Sequence, residues 1–462
     1  MLHTDLDEDA ARAAAREFED AYRYLERVAF PGHEGLIQRM DVALFRSTGE
    51  FHHFLPSGVE GIYFDRAPQD LERSPTMVLY GGLQGDARAV FLHELTHRFM
   101  SRAYGWAPPW LNEGLADYFS TMKIQSGWVF LGMVPPGHIF VRGVHYTFDD
   151  GVPTVQEIVQ ADHAAFYGAW NGEAIDERHR ARYYAGAYCL VHMLRNGTDE
   201  QRKRFDDFID AMNGGARASD AWARTIGTVS DDDLDAALRA HISGWRSWGL
   251  FGRAVQPLRP SPPETVAVMR EEDVHVLWAR LLLEGAAPPR DVQGELDRAR
   301  GAAPDSAAVA YANGCLELWL GRTVEATALF EAALARAPDD PRYLYATVLA
   351  RSRAGSRLDG ESVEKLMRIA KSSDELMTAA TLLSELGARD GASRMADAAV
   401  AADPGYALAL AARARVHFEA GRFAEAIADQ EHAVAFAPEH VDDRPLVEAL
   451  DKYRRAQASK SP

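Results

Sequence analysis

The sequence predicts two folded parts: a mixed α+β domain over residues 1–252 and an all-α array of helical repeats over 264–462, joined by a linker at 253–263. Three observations lead there. Short β-type apolar runs alternate with amphipathic helical patterns up to about Gly252. Pro257, Pro260, Pro262 and Pro263 then crowd into a few residues, the composition of a stiff connection. Beyond them the chain is Ala-, Leu- and Arg-rich, and Pro304 and Pro338, then Pro404 and Pro438, stand 34 residues apart. A chain of 462 residues is too long for one ordinary core, which agrees with this division.

Taken in order, residues 8–28 read as an amphipathic helix, and Asp41–Phe45 and Gly61–Phe64 as short strands bounded by polar turns. A third apolar run, Thr76–Tyr80, ends at Gly81-Gly82 and fits either an edge strand on which a peptide pairs or an interior strand. A helix that Asp86 can cap continues through Met100. Pro108-Pro109 interrupts the pattern, and Trp110 to Lys123 resumes it as a second helix, since Pro is tolerated at a helix start. Another apolar helix runs from Tyr183 to Arg195.

In the second part, Gly321, Ala326, Phe330, Ala333 and Pro338 match in phase with Gly421, Ala426, Gln430, Ala433 and Pro438. These are small residues where paired helices touch, with Pro at the turn, and the period resembles that of tetratricopeptide repeats. Weaker copies fit 272–304, with Trp278, Gly285 and Ala299 in register, and 339–403 as two degenerate units. About five repeats result, enough to bury a continuous core, with Asp443–Ala458 as capping helix. Because repeat stability is nearly a sum of neighbour terms, residues from about 264 onward are expected to fold without the first domain.

Composition bounds the function. The chain is 47% hydrophobic and 26% charged, ordinary for folded protein, and its net charge of −18 opposes binding to nucleic-acid backbones. Cys189 and Cys315 are the only cysteines, so any metal must use His and carboxylates; Cys189, in an apolar helix, reads as a small buried hydrophobe. No apolar stretch reaches membrane-spanning length, and Met1–Asp7 is acidic, so a cytoplasmic protein is expected, unless a misplaced start hides an export signal.

The chemistry lies in His93-Glu94-Leu95-Thr96-His97. Four residues apart on a helix, His93 and His97 share a face and can turn imidazole nitrogens toward one cation, with Glu94 beside them. Downstream, Trp110-Leu111-Asn112-Glu113-Gly114-Leu115-Ala116-Asp117-Tyr118-Phe119 offers Glu113 and, one turn on, Asp117. Catalytic zinc takes three protein ligands and keeps one position for water; His93, His97 and Glu113 make such a set, and Asp117 is free to accept the outer N–H of a ligand His. The remaining histidines, His192 and His241 among them, lack partners at ligand spacing and read as surface or core residues.

These motifs resemble the gluzincins, relatives of thermolysin and aminopeptidase N, and most closely their peptidase MA-like branch, over residues 3–250. The resemblance implies an α+β zincin-like metallopeptidase domain followed by a tetratricopeptide-like solenoid, zinc (Zn2+) on His93, His97 and Glu113, Glu94 as general base and Asp117 behind a ligand. Tyr183-Tyr184-Ala185-Gly186-Ala187 is similar to a helix of the aminopeptidase branch and puts Tyr183 where an oxyanion-holding tyrosine stands, with Tyr184 the adjacent alternative. The amine-anchoring motif of aminopeptidases is missing, Gly58-Val59-Glu60-Gly61 being a poor stand-in, which disfavours an obligate aminopeptidase. The expected function is zinc-dependent hydrolysis of a peptide or protein substrate, with a protein partner on the repeats. A degenerate binding platform, or a zinc hydrolase acting on a non-peptide bond, are the alternatives.

Overall fold

The computed structural model describes residues 1–30, 40–55, 61–64, 76–81, 86–104, 107–125, 128–134, 153–161, 166, 177–214, 216–244, 251–254, 265–355, 360–385, 387–436 and 444–459. The expected linker at 253–263 falls almost wholly outside these residues; Arg253 and Ala254 lie in a strand, Phe251–Ala254.

Four strands form one sheet: β1 (Leu2–Thr4), β2 (Asp41–Phe45), β3 (Gly61–Phe64) and β4 (Thr76–Tyr80), in the order β1-β2-β4-β3. β2 runs parallel to both β1 and β4, and β3 pairs antiparallel with β4. β4 is therefore interior, its backbone paired on both sides, and offers no edge to a peptide.

Alternation along the strands explains why β2 and β4 read as unbroken apolar runs. Val42, Leu44, Met77 and Leu79 point into the main core with α1 (Glu8–Ala29) and α3 (Asp86–Ala103), whereas Ala43, Phe45 and Val78 point into a second core. That second core contains Phe51, Phe54 and Leu55 of and after α2 (Thr48–Phe54), and also Ala279, Leu281, Leu282 and Leu283 of the first repeat helix. Both faces of the sheet are thus covered, one by α1 and α3 and the other by α2 together with the first repeat helix.

α1 starts at Asp7, whose side chain accepts from the Ala10 N–H, and buries Ala14, Ala21, Tyr24, Leu25 and Val28 along one stripe. α4 covers Pro109–Ser120, ending earlier than the expected Lys123: Lys123–Gln125 instead forms β5, paired with β6 (Trp128–Leu131), which pairs in turn with β7 (Phe251–Ala254). The short alternating run prefers a ladder once a partner strand lies beside it. The remaining helices of this part are α5 (Val155–Gln160), α6 (Glu177–Asn196), α7 (Asp199–Asn213), α8 (Ala218–Arg224) and α9 (Asp231–Ser243). α3 includes Asp86 as its first residue; that side chain, and so the expected cap, lies outside the described residues.

From Glu271 onward the described residues are helical hairpins: α10/α11 (Glu271–Glu284, Pro289–Ala302), α12/α13 (Ala307–Trp319, Thr323–Arg336), α14/α15 (Pro341–Arg353, Gly360–Ile369), α16/α17 (Ser373–Glu385, Arg389–Ala402) and α18/α19 (Ala407–Glu419, Phe423–Ala435). α20 (Arg444–Ala458) closes the stack. Ala299, Ala326, Phe330, Ala333, Ala426, Gln430 and Ala433 are all buried between helices, as their phase requires. The turns inside four pairs place Gly321, Gly355, Gly387 and Gly421 at positive φ; in the first pair that place is taken by Ala286 (φ 53), not by the expected Gly285. Gly285 has another role, since a Cβ there would stand 2.6 Å from the Phe54 carbonyl oxygen, where the first domain meets the repeat.

The join is polar as well as apolar. Arg280 of α10 donates to Asp41 at the start of β2 (2.8 Å), and Trp278 packs on Phe54 with ring centres 5.8 Å apart. The far end of the stack also returns to the first part: Phe436, just after α19, packs against both the main core and the core of the later hairpins, and Arg217 donates to the Val434 carbonyl at 3.4 Å.

Candidate metal centre

Two helices build the site. α3 buries Leu92, Leu95 and Phe99 in the main core, which turns the opposite stripe, His93, Glu94 and His97, toward α4. α4 begins with Pro109 at its first turn and is anchored by Trp110, buried against Phe208 and Trp222. α6 then lies on α4 so closely that a Cβ on Gly114 would meet the Ala187 carbonyl oxygen and Val191 Cγ2 at 2.7 Å each. A glycine next to Glu113 is what allows this contact, and it presses α4 onto α3.

The side chains converge. His93 Nε2 and His97 Nε2 lie 3.0 Å apart, and each faces Glu113 Oε2, at 3.4 and 3.5 Å; the two rings are nearly perpendicular, at 86°. A tetrahedral zinc with bonds of about 2.0–2.1 Å spaces its ligand atoms by about 3.3 Å, so this triangle of two imidazole nitrogens and one carboxylate oxygen fits the ion in donor type and in size. Among the described residues these three are the group whose ligand atoms lie close enough together to hold a metal.

The outer nitrogens are oriented too. His93 Nδ1 donates to Asp117 Oδ1 (2.9 Å) and His97 Nδ1 to Asn112 Oδ1 (3.1 Å), leaving both Nε2 lone pairs turned inward. Asp117 is where the sequence put it. Asn112 went unnoticed there, although its place one residue before Glu113, at the start of the same helix, was the available signal.

Electrostatics couple these three groups. Burial pushes the Glu113 carboxyl up, but His97 and His93 outweigh it and hold Glu113 well below the usual carboxylate range. Burial opposes protonation of His93, yet Asp117 and Glu113 raise it well above 6.5; His97 is raised likewise, chiefly by Glu113 against burial. Without a cation the pocket thus draws protons to its imidazoles. Glu94 lies near enough to raise His97 as well.

Both candidate tyrosines sit on α6 and pack on Phe166, with ring centres at 5.5 Å for Tyr183 and 5.8 Å for Tyr184. After burial, the groups that raise the Tyr184 phenol are Glu113, Asp117 and Glu94, the carboxylates of the site itself, while Arg180, with Cζ 5.7 Å from the Tyr184 ring centre, lowers it. The Tyr184 phenol thus feels the carboxylates of the site, and Tyr183 and Tyr184 both remain candidates for the oxyanion-holding role.

A second cluster was invisible in the sequence. His192 and His241 are 49 residues apart, yet His192 Nδ1 lies 2.8 Å from His241 Nε2, and His192 Nε2 donates to the Gly132 carbonyl at 3.0 Å. Burial, with His241 beside it, lowers His192 to about 4, and burial lowers His241 to about 4. Nearby, Tyr118 donates to Asn196 at 2.8 Å. This network ties α6, α9 and the end of β6 together. Cys189 and Cys315 are both buried thiols, and burial raises Cys189 further.

No protein-family model matches the chain, and no curated protein matches it either. Solved structures do match in part. The chain is similar to YrrB, a tetratricopeptide-repeat protein with an unusual peptide-binding site, at 18% identity over 38% of this chain and 90% of that one, with a TM-score of 0.33. It is also similar to the tetratricopeptide-repeat protein TTC0263 of Thermus thermophilus, at 18% identity over 40% and 99% (TM-score 0.30), and to one from Parabacteroides merdae, at 15% over 55% and 98% (TM-score 0.30). What carries the repeat architecture is the five helix pairs and their turns.

Proposed function

We propose that the chain is a zinc-dependent peptidase of the zincin type whose helical hairpins bind a protein client or partner. The observation that carries this reading is the convergence of His93, His97 and Glu113, each imidazole oriented from behind by Asp117 or Asn112. Zinc held there supplies a Lewis acid that polarises a carbonyl and brings the pKa of bound water to about 7. Glu94, on the same helix face, accepts the proton of the attacking water and returns it to the leaving nitrogen. The phenol of Tyr184, or of Tyr183 by the motif, donates to the carbonyl oxygen as it gains charge.

The test is zinc content and cleavage of an unfolded protein substrate measured on one sample. Expected are one zinc per chain and cleavage, with both lost in His97→Ala and only cleavage lost in Glu94→Gln. A His97→Ala protein that keeps its metal overturns the reading. Tyr184→Phe and Tyr183→Phe distinguish the two phenols, the one that acts losing roughly 10²–10³-fold in kcat and kcat/KM together.

A second reading, a binding platform without catalysis, is favoured by the share of the chain given to stacked hairpins, Glu271 to Ala458. Zinc bound without cleavage of any peptide supports it.

A further inference from the structure

The hairpin stack meets the first part of the chain at both of its ends, and the two joins fall on different cores. At the near end, Trp278 and Arg280 of α10 reach Phe54 and Asp41, beside the core that, among the described residues, includes none from α3 or α4. At the far end, Arg217, from which α8 starts, donates to the Val434 carbonyl of α19 at 3.4 Å, and the partly buried Phe436 packs against the main core. That core is the one that α3 and α4, the helices of the metal-binding triad, help to build.

From the far join to the triad the contacts are continuous. Trp222 of α8 packs edge-on against Trp110, with ring centres 5.5 Å apart, and Phe208 of α7 meets the same indole at 5.9 Å. Trp110 is 1% exposed and lies in the first turn of α4, just ahead of Asn112 and Glu113. A helix rises only about 1.5 Å per residue and is stiff over one turn, so whatever fixes the Trp110 ring also fixes the backbone that carries those two side chains. The triad tolerates little displacement, since Glu113 Oε2 stands 3.4 and 3.5 Å from the two imidazole nitrogens.

The geometry points to Phe436 and Arg217 as positioning residues for the metal centre: the last hairpin braces α8, and through Trp222 and Trp110 it sets the place of Asn112 and Glu113. This rests on the metal-centre reading and adds the far end of the stack to the site's support. A protein seated on the late hairpins that bends them thereby changes the hold on the metal, and the metal changes the hold on that protein by the same factor, because coupling between two binding equilibria is reciprocal.

The test compares the two joins in full-length protein. Chelator competition gives the zinc Kd, urea denaturation the stability, and hydrogen exchange the protection of Pro109–Ser120 with and without zinc. Phe436→Ala and Arg217→Gln should each raise the zinc Kd about 3–30-fold and speed exchange in α4. Phe436→Leu, which keeps most of the apolar volume, should recover most of the affinity. Trp278→Ala and Arg280→Gln, which disturb the near join, should leave the zinc Kd within about twofold whatever stability they cost. The inference is overturned if the far-join variants also leave zinc within twofold, or if all four weaken zinc in proportion to the stability lost. Should Phe436→Ala fail to fold, Arg217→Gln and Phe436→Leu carry the comparison. Unaltered protein that binds no zinc refutes the metal-centre reading, and exchange in α4 then still decides the brace: faster exchange in the far-join variants alone upholds it, and equal exchange in all four overturns it.

Discussion

Gly114→Ala is a single methyl group placed where it separates fold stability from site geometry. The new Cβ stands 2.7 Å from the Ala187 carbonyl oxygen and from Val191 Cγ2, and the backbone oxygen cannot rotate away, so α4 and α6 must part by about half an ångström or more. Overpacking of this kind costs about 1–3 kcal/mol, while replacing Gly by Ala inside a helix returns about 1 kcal/mol. The net loss of stability is therefore modest, roughly 0–2 kcal/mol. The metal triangle is less forgiving, because Glu113 precedes the displaced residue and its Oε2 must stay within 3.5 Å of both imidazole nitrogens. A loosened ligand should weaken zinc by at least the 10–100-fold seen when groups behind a ligand are lost. Chelator competition gives the zinc Kd and urea denaturation the stability. Gly294→Ala is the control: it lies in α11 with nothing near its Cβ and should gain up to about 1 kcal/mol with zinc unchanged. Unaltered zinc affinity in Gly114→Ala, together with a stability gain like that of Gly294→Ala, refutes the idea that the α4–α6 contact positions the site.

Other perturbations probe the remaining contacts. Asp117→Ala and Asn112→Ala should each weaken zinc by about 10–100-fold, and unchanged chelator titrations would mean that His93 and His97 are oriented by packing alone. His192 and His241 are neutral in the fold at about 4, and in the unfolded chain they titrate near 6.5. The unfolded state thus binds more protons between pH 6.5 and 4, and stability is full above that window and lost as pH falls through it, at about 1.4 kcal/mol per pH unit for each imidazole and so by about 4 kcal/mol for the pair between pH 7 and pH 5. Urea midpoints at pH 7 and pH 5 should show this, and the difference should shrink in His241→Gln. Phe54→Ala should cost about 3–5 kcal/mol because its ring fills the core shared by the sheet and the first repeat. Hydrogen exchange should then rise together in β2, β4 and α10; a rise confined to one side would mean that the two parts do not share stability.

Much of this molecule is written in short-range spacing. His93 and His97 share a helix face because they are four apart, Glu113 and Asp117 for the same reason, and the turn glycines Gly321 and Gly421 recur at fixed offsets from the buried alanines Ala326 and Ala426. Such relations depend on backbone geometry over one or two turns, and a sequence displays them directly. What the tertiary structure alone decided is every relation between distant segments of unremarkable composition. Asn112 behind His97 and His192 against His241 depend on how helices cross, and helix crossing is set by side-chain volumes at contacts such as Gly114 with Ala187. The second face of the sheet makes the same point at larger scale. The unbroken apolar runs of β2 and β4 announce that both faces must be covered, but nothing local says by what, and it is the first repeat, across the proline-rich connection, that supplies Leu281, Leu282 and Leu283 to cover Ala43, Phe45 and Val78.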